Sequence, residues 1–460
     1  MLKERLAAAE KDVLVSMVKI AQQRRMEGSK GVWQVFLNEH DRKIGAGISD
    51  PSKRSVDVLV SFLETFPDKE AEAKFLEKVL DWHSNREAVF ELIKNSATDR
   101  EKLVRLTYEH PDYSSSYSFK SYDEDWVVTS MGDMSKSNAI LAVDCEMVEC
   151  EDGTEPVVKV CVVDENLKVK LNKLVNPNKP VKDYRTEITG ITAQDLEGVT
   201  CSIMDVQKSL ENLLCNGTIL IGHSLDCDLK ALKLDHGRVI DTSLVFRRAD
   251  GKRNSLSDLC KVVLKRDVRE EGAQHNCLDD AGAAMKLVKN VLEKGYDEAM
   301  KVFSDYLSKQ LFLYRIPVYL SEEELRVIVP MDSAVVLKLR YQQRAKSYSA
   351  TALFKDQDEA NYTFRSIKSE EVKDTNGLQQ KVIPVQPKDK KCASGCIHVR
   401  KMVRDDESLV PDYSLRKRQI KEAVAPSNEE LQKNSDCLKR GKIIQLLQEQ
   451  LQYCKNNSKY

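Results

Sequence analysis

The spacing of apolar residues changes several times along the chain. In its N-terminal part, apolar residues recur at every third or fourth position, as at Leu14, Met17 and Val18, which is the spacing of one helix face. Residues 1–105 therefore predict a helical N-terminal domain. Residues 106–138 are rich in serine and tyrosine and show no such period, which is typical of a linker.

Short continuous apolar runs replace the helical spacing after residue 138. The runs at 139–143, 157–163 and 218–221 each predict a buried strand. Helical spacing then alternates with strands and ends in a long helix predicted near 278–292. Strands followed by such alternation indicate an α/β domain with a mixed sheet over residues 139–300.

A third pattern covers residues 308–388, where the predicted order is strand, helix, strand, strand, helix, strand. The first strand is predicted at 311–316 and the last at 381–385, which indicates an α+β domain. Residues 389–460 are polar and charged, with apolar spacing only near their end. They predict a basic and polar tail with a short C-terminal helix.

Composition narrows the class of protein. Of the 460 residues, 41% are hydrophobic and 32% are charged, which excludes a chain that is disordered throughout. The formal net charge is −1, yet acidic residues are in excess in residues 139–300 and basic residues in 301–460. This distribution favours a protein that holds cations in one region and an anionic polymer in another. Ordinary surface variation is the alternative.

The cysteines and the hydropathy indicate an intracellular protein. Several of the 12 cysteines lie in apolar runs, as expected of buried thiols in a reducing compartment, and no disulfide framework is predicted. No run reaches the roughly 18 apolar residues of a membrane span, so no membrane partner is expected. The basic segment 416–418 is consistent with a nuclear import signal, and a solvated helix face is the alternative. The nucleus is therefore the expected location, with the cytoplasm as the alternative.

Carboxylates cluster around the predicted strand ends. Asp144 and Glu146 follow the first apolar run two positions apart, so in a strand they project to the same side. Asp228 and Asp280 lie near the predicted starts of two helices, and His275 precedes Asp280 by five positions. Carboxylates suit Mg²⁺, which prefers oxygen ligands. Two such ions about 4 Å apart promote phosphoryl transfer, and the histidine would supply a base.

Motifs that contain these residues resemble those of a known superfamily. VDCEMV, GHSLDCDLKAL with a following VIDT, and HNCLDDA resemble the three motifs of DEDDh exonucleases, in the branch of the eukaryotic RNA exonucleases. The stretch GVWQVFLNEHDRKIGAGISDP and the order of the domains resemble the plant small RNA degrading nucleases.

The resemblance implies an RNase H-like exonuclease domain with assigned residue roles. The implied ligands of two Mg²⁺ ions, or of Mn²⁺ in their place, are Asp144, Glu146, Asp228 and Asp280. His275 is the implied general base. The resemblance also places Met147 near the terminal nucleotide, with packing at the end of the strand as the alternative. His223 is expected to be structural or to lie near the substrate rather than to act as the base. The neighbouring acids Asp226 and Asp279 are not ligands in this pattern.

The element order of residues 308–388 resembles an RNA-recognition motif. In that fold, aromatic side chains on the central strands stack on unpaired bases, and Phe312 occupies the first-strand position. Ser349 and Thr351 stand where the third strand would carry aromatic residues, so charge would supply much of the affinity. The basic residues expected to contact RNA are Arg315, Lys338 and Arg340, and a solvated surface is the alternative.

Together these features predict a 3′-to-5′ exoribonuclease that degrades short single-stranded RNA, such as small RNAs and microRNAs, and releases nucleoside 5′-monophosphates. Single-stranded RNA is the expected partner, and no small-molecule cofactor beyond the metal is expected. Two alternatives remain open. One is an exonuclease that trims ribosomal or other structured RNA, or that acts on DNA. The other is a non-catalytic RNA-binding adaptor on the same fold, against which the presence of all four acids argues.

Overall fold

The computed structural model describes residues 2–41, 49–66, 70–95, 98–119, 121, 123, 125–129, 139–269, 274–341, 346–386 and 395–404. Within these residues the chain forms two compact units. The first comprises residues 1–91 and 112–128, and the second comprises residues 92–111 and the described chain from 129 onward. The basic segment 416–418 and the predicted C-terminal helix lie outside the described residues.

Helices dominate the chain before residue 120. In order they are α1 (Leu2–Ala8), α2 (Lys11–Gln23), α3 (Trp33–Asp41), α4 (Val56–Leu63), α5 (Glu70–Asn95), α6 (Asp99–Tyr108) and α7 (Tyr113–Ser116). The core of the first unit is built on aromatic residues of α3 and α4 and of the turn after α4. Phe62 contacts Trp33 with ring centroids 5.0 Å apart and Phe66 at 5.2 Å, both edge to face. Such pairs add to the stabilisation from burial alone.

The segment 106–138, predicted as a linker, contains ordered structure in its described part. Helix α6 ends within it, α7 follows, and a short strand β1 (Val127–Val128) comes later. Its aromatic side chains are buried rather than exposed: Tyr113 stacks on Tyr117 at 4.6 Å, and Tyr117 contacts Phe119 at 5.8 Å. The linker prediction is wrong here because these rings form a small apolar cluster, which the serine content hid.

The central part of the second unit alternates strands and helices. Its strands are β2 (Ile140–Met147), β3 (Glu149–Cys150), β4 (Val157–Asp164), β5 (Val169–Leu174), β6 (Val181–Asp183), β7 (Ile219–Gly222), β8 (Leu234–Asp235) and β9 (Val239–Asp241). Its helices are α8 (Thr186–Thr189), α9 (Ile203–Leu214), α10 (Leu225–Leu232), α11 (Thr242–Val245), α12 (Leu256–Leu259), α13 (Cys277–Lys294) and α14 (Tyr296–Ser308).

These strands build a five-stranded sheet in the order β5-β4-β2-β7-β9. Strand β2 pairs antiparallel with β4 and parallel with β7, so it lies in the middle of the sheet, and α13 packs against β2, β4 and β7. The predicted mixed sheet is confirmed. Helix α6 belongs to the same unit: the Thr107 hydroxyl accepts a hydrogen bond from the Asp241 backbone at 3.1 Å, and Glu101 pairs with Arg238 where both side chains are buried.

The last described part of the chain forms a six-stranded antiparallel sheet instead of the four strands predicted. Its elements are β10 (Gln310–Pro317), α15 (Glu322–Ile328), β11 (Val336–Arg340), β12 (Ser347–Leu353), α16 (Gln357–Ser366), β13 (Glu371–Lys373), β14 (Gln379–Val385) and β15 (Gly395–Lys401). The strand order is β11-β12-β10-β15-β14-β13. The predicted last strand, β14, therefore does not pair with β10. That place belongs to β15, which was predicted to lie in the tail, because Ile397 and Val399 bury one face of it in the core.

Two further findings concern the cysteines and the membrane. The sulfur atoms of Cys161 on β4 and Cys277 at the start of α13 lie next to each other, although nothing in the sequence was a reason to pair these two residues. The two residues are 116 positions apart in the chain, and only the packing of α13 on the sheet brings them together. In the described ranges, no helix is long and apolar enough to cross a lipid bilayer.

Candidate active site

Strand β2 carries the first two acids of the site. Its apolar residues bury it in the middle of the sheet, and Asp144 and Glu146, two residues apart, share one side of it near its C-terminal end. Glu146 is 6% exposed. Its Oε1 atom is buried and has no hydrogen-bond partner among the described residues, which is costly for a carboxylate unless a cation or a proton satisfies it.

Asp228 reaches the same place from the first turns of α10. The chain enters this helix from β7 through Gly222, where a Cβ atom would lie 2.8 Å from the Leu225 side chain, so only glycine permits the tight turn. The backbone N–H groups of Ser224 and Leu225 donate to the Asp241 carboxylate at 2.9 and 3.1 Å. Asp241, from the VIDT motif, therefore fixes the start of the helix.

Asp280 and His275 come from the start of α13. Asn276 caps this helix by accepting a hydrogen bond from the Leu278 N–H at 3.1 Å, and Asp280, one turn later, is 4% exposed. His275 stays half exposed, with its Nδ1 atom 3.4 Å from Asp280 Oδ2. Its backbone N–H donates to the carbonyl of Ile188 at 2.7 Å, which holds the histidine beside α8.

The electrostatics show that the four acids converge. Burial, followed by the charges of Asp228, Asp280 and Glu146, raises the pKa of Asp144 well above its usual range. Burial and the nearby Asp280 raise the pKa of Glu146 to about 7. Burial likewise raises the pKa of Asp228 to about 8, against hydrogen bonds from Cys145 that lower it. Burial and the neighbouring acids therefore outweigh the positive charge of Arg269, which lowers the pKa of Asp144 and Glu146.

A divalent cation fits this chemistry. The site offers buried carboxylate oxygens that repel one another, which is the donor set that Mg²⁺ prefers. Across the described ranges, however, no three His, Cys, Asp or Glu side chains already stand as ligands of a single ion. Asp280 is instead held by Arg269, whose Nη2 atom lies 2.8 and 3.0 Å from its two oxygens. The ligand types therefore fit a divalent cation, with Asp280 paired to Arg269 in this structure.

The neighbouring acids lie elsewhere. Asp226 forms an ion pair with Arg253 at 2.6 Å, and Asp279 is exposed on α13. His223 is bound through its Nδ1 atom to the Thr242 hydroxyl at 2.9 Å, and burial lowers its pKa. Met147 ends β2 one residue beyond Glu146 and is partly buried. The structure thus brings together Asp144, Glu146, Asp228, Asp280 and His275.

Comparison with known proteins agrees with this geometry. The family model RNase_T, described as "Exonuclease", matches residues 141–288. "Small RNA degrading nuclease 2" of Arabidopsis thaliana is 44% identical over 419 residues, which cover 87% of this chain and 89% of that protein. The chain belongs to the small RNA degrading nuclease family.

A second relative and a solved structure extend the comparison. "Small RNA degrading nuclease 3" of Arabidopsis thaliana is 41% identical over 96% of this chain, which spans 59% of that longer protein. The Pan2 catalytic unit of Neurospora crassa aligns with a TM-score of 0.34 and 21% identity, over 45% of this chain and 36% of that one. This last likeness is too low to argue from, so family membership rests on the sequence relatives.

The remaining predicted residues of this small RNA degrading nuclease lie on the six-stranded sheet. Phe312 of β10 points away from the core of that sheet, with Lys252 Nζ 4.6 Å and the Arg400 guanidinium 5.3 Å from its ring centre. Lys338 lies 3.6 Å from Asp258. Arg340 is exposed at the end of β11, and Arg315 is exposed in a bulge of β10. These residues form a group separate from the acidic site.

Sequence reasoning missed three residues of the site. Arg269 lies in the charged run KRDVREE, where no spacing distinguishes one basic residue from the next. Cys145, between the two acids of β2, hydrogen-bonds to Asp228 and is buried, although it looked like an ordinary core thiol. The sequence showed Asp241 only as part of the VIDT motif. It caps α10 because β9, which ends at Asp241, lies beside β7, which leads into that helix.

Proposed function

We propose that this protein is a divalent-metal-dependent 3′-to-5′ exoribonuclease of short single-stranded RNA. The observation that carries the proposal is the convergence of four carboxylates from β2, α10 and α13, three of them buried and Asp144 partly buried, with a half-exposed histidine beside one of them. Names of relatives such as "Small RNA degrading nuclease 2" support RNA as the substrate.

The residues that would hold the cations are Asp144, Glu146, Asp228 and Asp280. Two Mg²⁺ ions, when bound, supply stabilisation of the charge on the attacking and departing oxygens of the phosphodiester. Because the carboxylates bind protons in the same pH range in which they would bind cations, cation binding releases protons. Oxygen ligands favour Mg²⁺, with Mn²⁺ as a substitute.

His275 is placed to act as the general base. Its Nδ1 side faces Asp280, which leaves Nε2 to take a proton from the attacking water. Burial and the charge of Arg269 lower the pKa of His275, so the imidazole is neutral at neutral pH, as a base must be. The water oxygen bonds to phosphorus, the bond to the 3′ oxygen of the preceding nucleotide breaks, and that oxygen takes a proton. The product is a nucleoside 5′-monophosphate.

The six-stranded sheet would hold the RNA upstream of the cut. Phe312 and Tyr314 stack on each other with ring centroids 5.5 Å apart, and strand pairing places Lys338 and Arg340 on the same face of the sheet. Positive side chains neutralise phosphates without reading bases, and aromatic rings stack on any base. Such a surface suits a nuclease that must act on many small RNAs.

The test compares two adjacent aspartates. Asp280→Asn alters a buried acid of the site, and Asp279→Asn makes the same chemical change one residue away on the exposed side of α13. On a 5′-labelled RNA oligomer with Mg²⁺, the wild type and Asp279→Asn should give ladders that shorten from the 3′ end, with nucleoside 5′-monophosphates as products. Asp280→Asn and Asp144→Ala should not.

Matched DNA and structured RNA substrates separate this function from its alternatives. Equal rates on DNA, or faster trimming of a folded RNA than of a single strand, would redirect the proposal to those substrates. Metal-dependent shortening that persists in Asp144→Ala would refute the catalytic site itself. Nuclear localisation, proposed from the basic segment 416–418, is tested by replacing that segment in a fluorescent fusion.

A further inference from the structure

Arg269 contacts the acidic site through only one of its guanidinium nitrogens. Its Nη2 atom alone contacts Asp280, at 2.8 and 3.0 Å from the two carboxylate oxygens. Its Nη1 atom is buried and has no hydrogen-bond partner in the described part of the chain. An arginine in a permanent structural ion pair commonly uses two nitrogens in a parallel fork. The two N–H donors on Nη1 are therefore available for another partner.

The position of Arg269 conflicts with that of a divalent cation. Its positive charge acts on Asp144 and Glu146 as well as on Asp280, so it lies in the field that would hold the cations. Both oxygens of Asp280 accept from the same nitrogen, and the side chains of the ion pair are only 20% and 5% exposed. Two positive groups cannot occupy this buried space without strong mutual repulsion.

We propose that Arg269 exchanges partners: it is the counter-ion of Asp280 before metal binds, and it binds the phosphate of the terminal nucleotide once metal has taken Asp280. The proposal rests on the metal site proposed above. A guanidinium released from Asp280 remains beside the cluster, and its planar fork matches the oxygens of a phosphate. Bound cations and Arg269 would then contact the same phosphodiester from different sides.

If Arg269 and the metal compete for Asp280, replacing Arg269 should change metal affinity and substrate affinity in opposite directions. Removing a positive charge from a site normally weakens the binding of an anionic substrate, and it should do so here. The same substitution should strengthen the binding of the metal, because the cation no longer has to displace the guanidinium. A guanidinium that stayed on Asp280 would not bind the phosphate, so the gain in metal affinity together with the loss of phosphate affinity distinguishes exchange from a permanent ion pair.

The experiment measures Mn²⁺ binding by calorimetry, without RNA, for the full chain and three variants. Arg269→Gln should bind Mn²⁺ more tightly than the wild type, by roughly the 5- to 150-fold typical of coupled sites. Arg269→Lys keeps the charge without the fork and should fall between the two. The matched control is Arg253→Gln, which removes an arginine from its pair with Asp226 and should leave the Mn²⁺ affinity nearly unchanged.

The second readout is inhibition of RNA hydrolysis by a nucleoside 5′-monophosphate at saturating Mn²⁺. Arg269→Gln should weaken this inhibition about tenfold, the loss expected for one charge-assisted contact to phosphate. Thermal melting with a chelator present verifies that each variant is folded, and Arg269→Lys keeps the test valid if Arg269→Gln does not fold.

The outcomes separate this inference from the proposed function. Equal or weaker Mn²⁺ binding by Arg269→Gln, with normal binding by the wild type, would overturn the exchange and leave the exonuclease proposal standing. Unchanged inhibition by the monophosphate would overturn the phosphate-binding half. If the wild type and Arg253→Gln both failed to bind Mn²⁺, the metal site itself would be refuted, and the role of Arg269 with it.

Discussion

Replacing Asp241 with asparagine would change one oxygen of a fully buried carboxylate into an amide nitrogen. Oδ1 of Asp241 accepts hydrogen bonds from the backbone N–H and hydroxyl of Ser243 at 2.9 and 2.7 Å, and from the Ser224 N–H at 2.9 Å. Oδ2 accepts from the Leu225 N–H at 3.1 Å. In the variant, the amide oxygen would keep the three hydrogen bonds that Oδ1 accepts. The amide NH₂ group would replace Oδ2, so two donors, this group and the Leu225 N–H, would face each other.

The magnitude follows from this geometry. One hydrogen bond to a charged acceptor is lost and one buried N–H is left unsatisfied, so the free energy of unfolding should fall by about 2 to 3 kcal/mol. This is a fraction of the roughly 5–15 kcal/mol that stabilises a typical domain, so the variant should still fold. The start of α10 would shift, and with it Asp228. A displacement of about 1 Å at a catalytic group costs on the order of 10² in rate.

The assay combines urea denaturation with steady-state hydrolysis of an RNA oligomer. Asp205→Asn is the matched control: Asp205 forms the capping box of α9 with Ser202, but its helix carries no residue of the acidic site. The control should lose no more than about 1 kcal/mol and keep its kcat. If Asp241→Asn behaved like this control in both measurements, the claim that Asp241 positions Asp228 would be refuted.

Three further predictions concern other residues. His275→Ala should lower kcat by roughly 10²–10⁴ without loss of Mn²⁺ binding; an unchanged kcat would contradict its role as base. Burial lowers the pKa of His236 to about 4. The free energy of unfolding should therefore fall by about 3 kcal/mol as the pH falls from about 6.5 to 4. Urea denaturation of His236→Gln should show a smaller loss over the same pH range. Phe312→Ala should weaken RNA binding by about 1–3 kcal/mol in fluorescence anisotropy, whereas Tyr362→Ala, which removes an exposed ring from α16, should not.

Local rules predicted part of the acidic site. The apolar run before Asp144 identified a buried strand, and the two-residue period of a strand put Asp144 and Glu146 on one side of it. Asp228 and Asp280 lie near the predicted starts of two helices, but only the resemblance to the DEDDh motifs distinguished them from Asp226 and Asp279. These rules act over a few residues, so they hold wherever a segment forms the element that its pattern favours.

Arg269 and β15 were missed for a different reason. Arg269 lies outside any helix or strand and contacts Asp280 of α13. No local sequence pattern predicts such a contact. Strand β15 does show alternation at Ile397 and Val399, but it is short and charged at its end, so its central place in the sheet depends on partners far away in the chain. Similarly, only the fold brings Cys161 to Cys277.

The pairing of β10 with β15 also has a consequence for biosynthesis. Leu311 lies opposite Lys401 and Tyr314 opposite His398, so two central strands of this sheet are about 85 residues apart in the chain. During translation, β10 is synthesised well before β15, so the edge of β10 that pairs with β15 stays unpaired until then. Long-range pairing of this kind slows folding, and an unpaired edge invites aggregation. We therefore expect the yield of soluble protein to depend on the rate of translation up to residue 401. We also expect fragments that end near residue 388, which lack β15, to require chaperones.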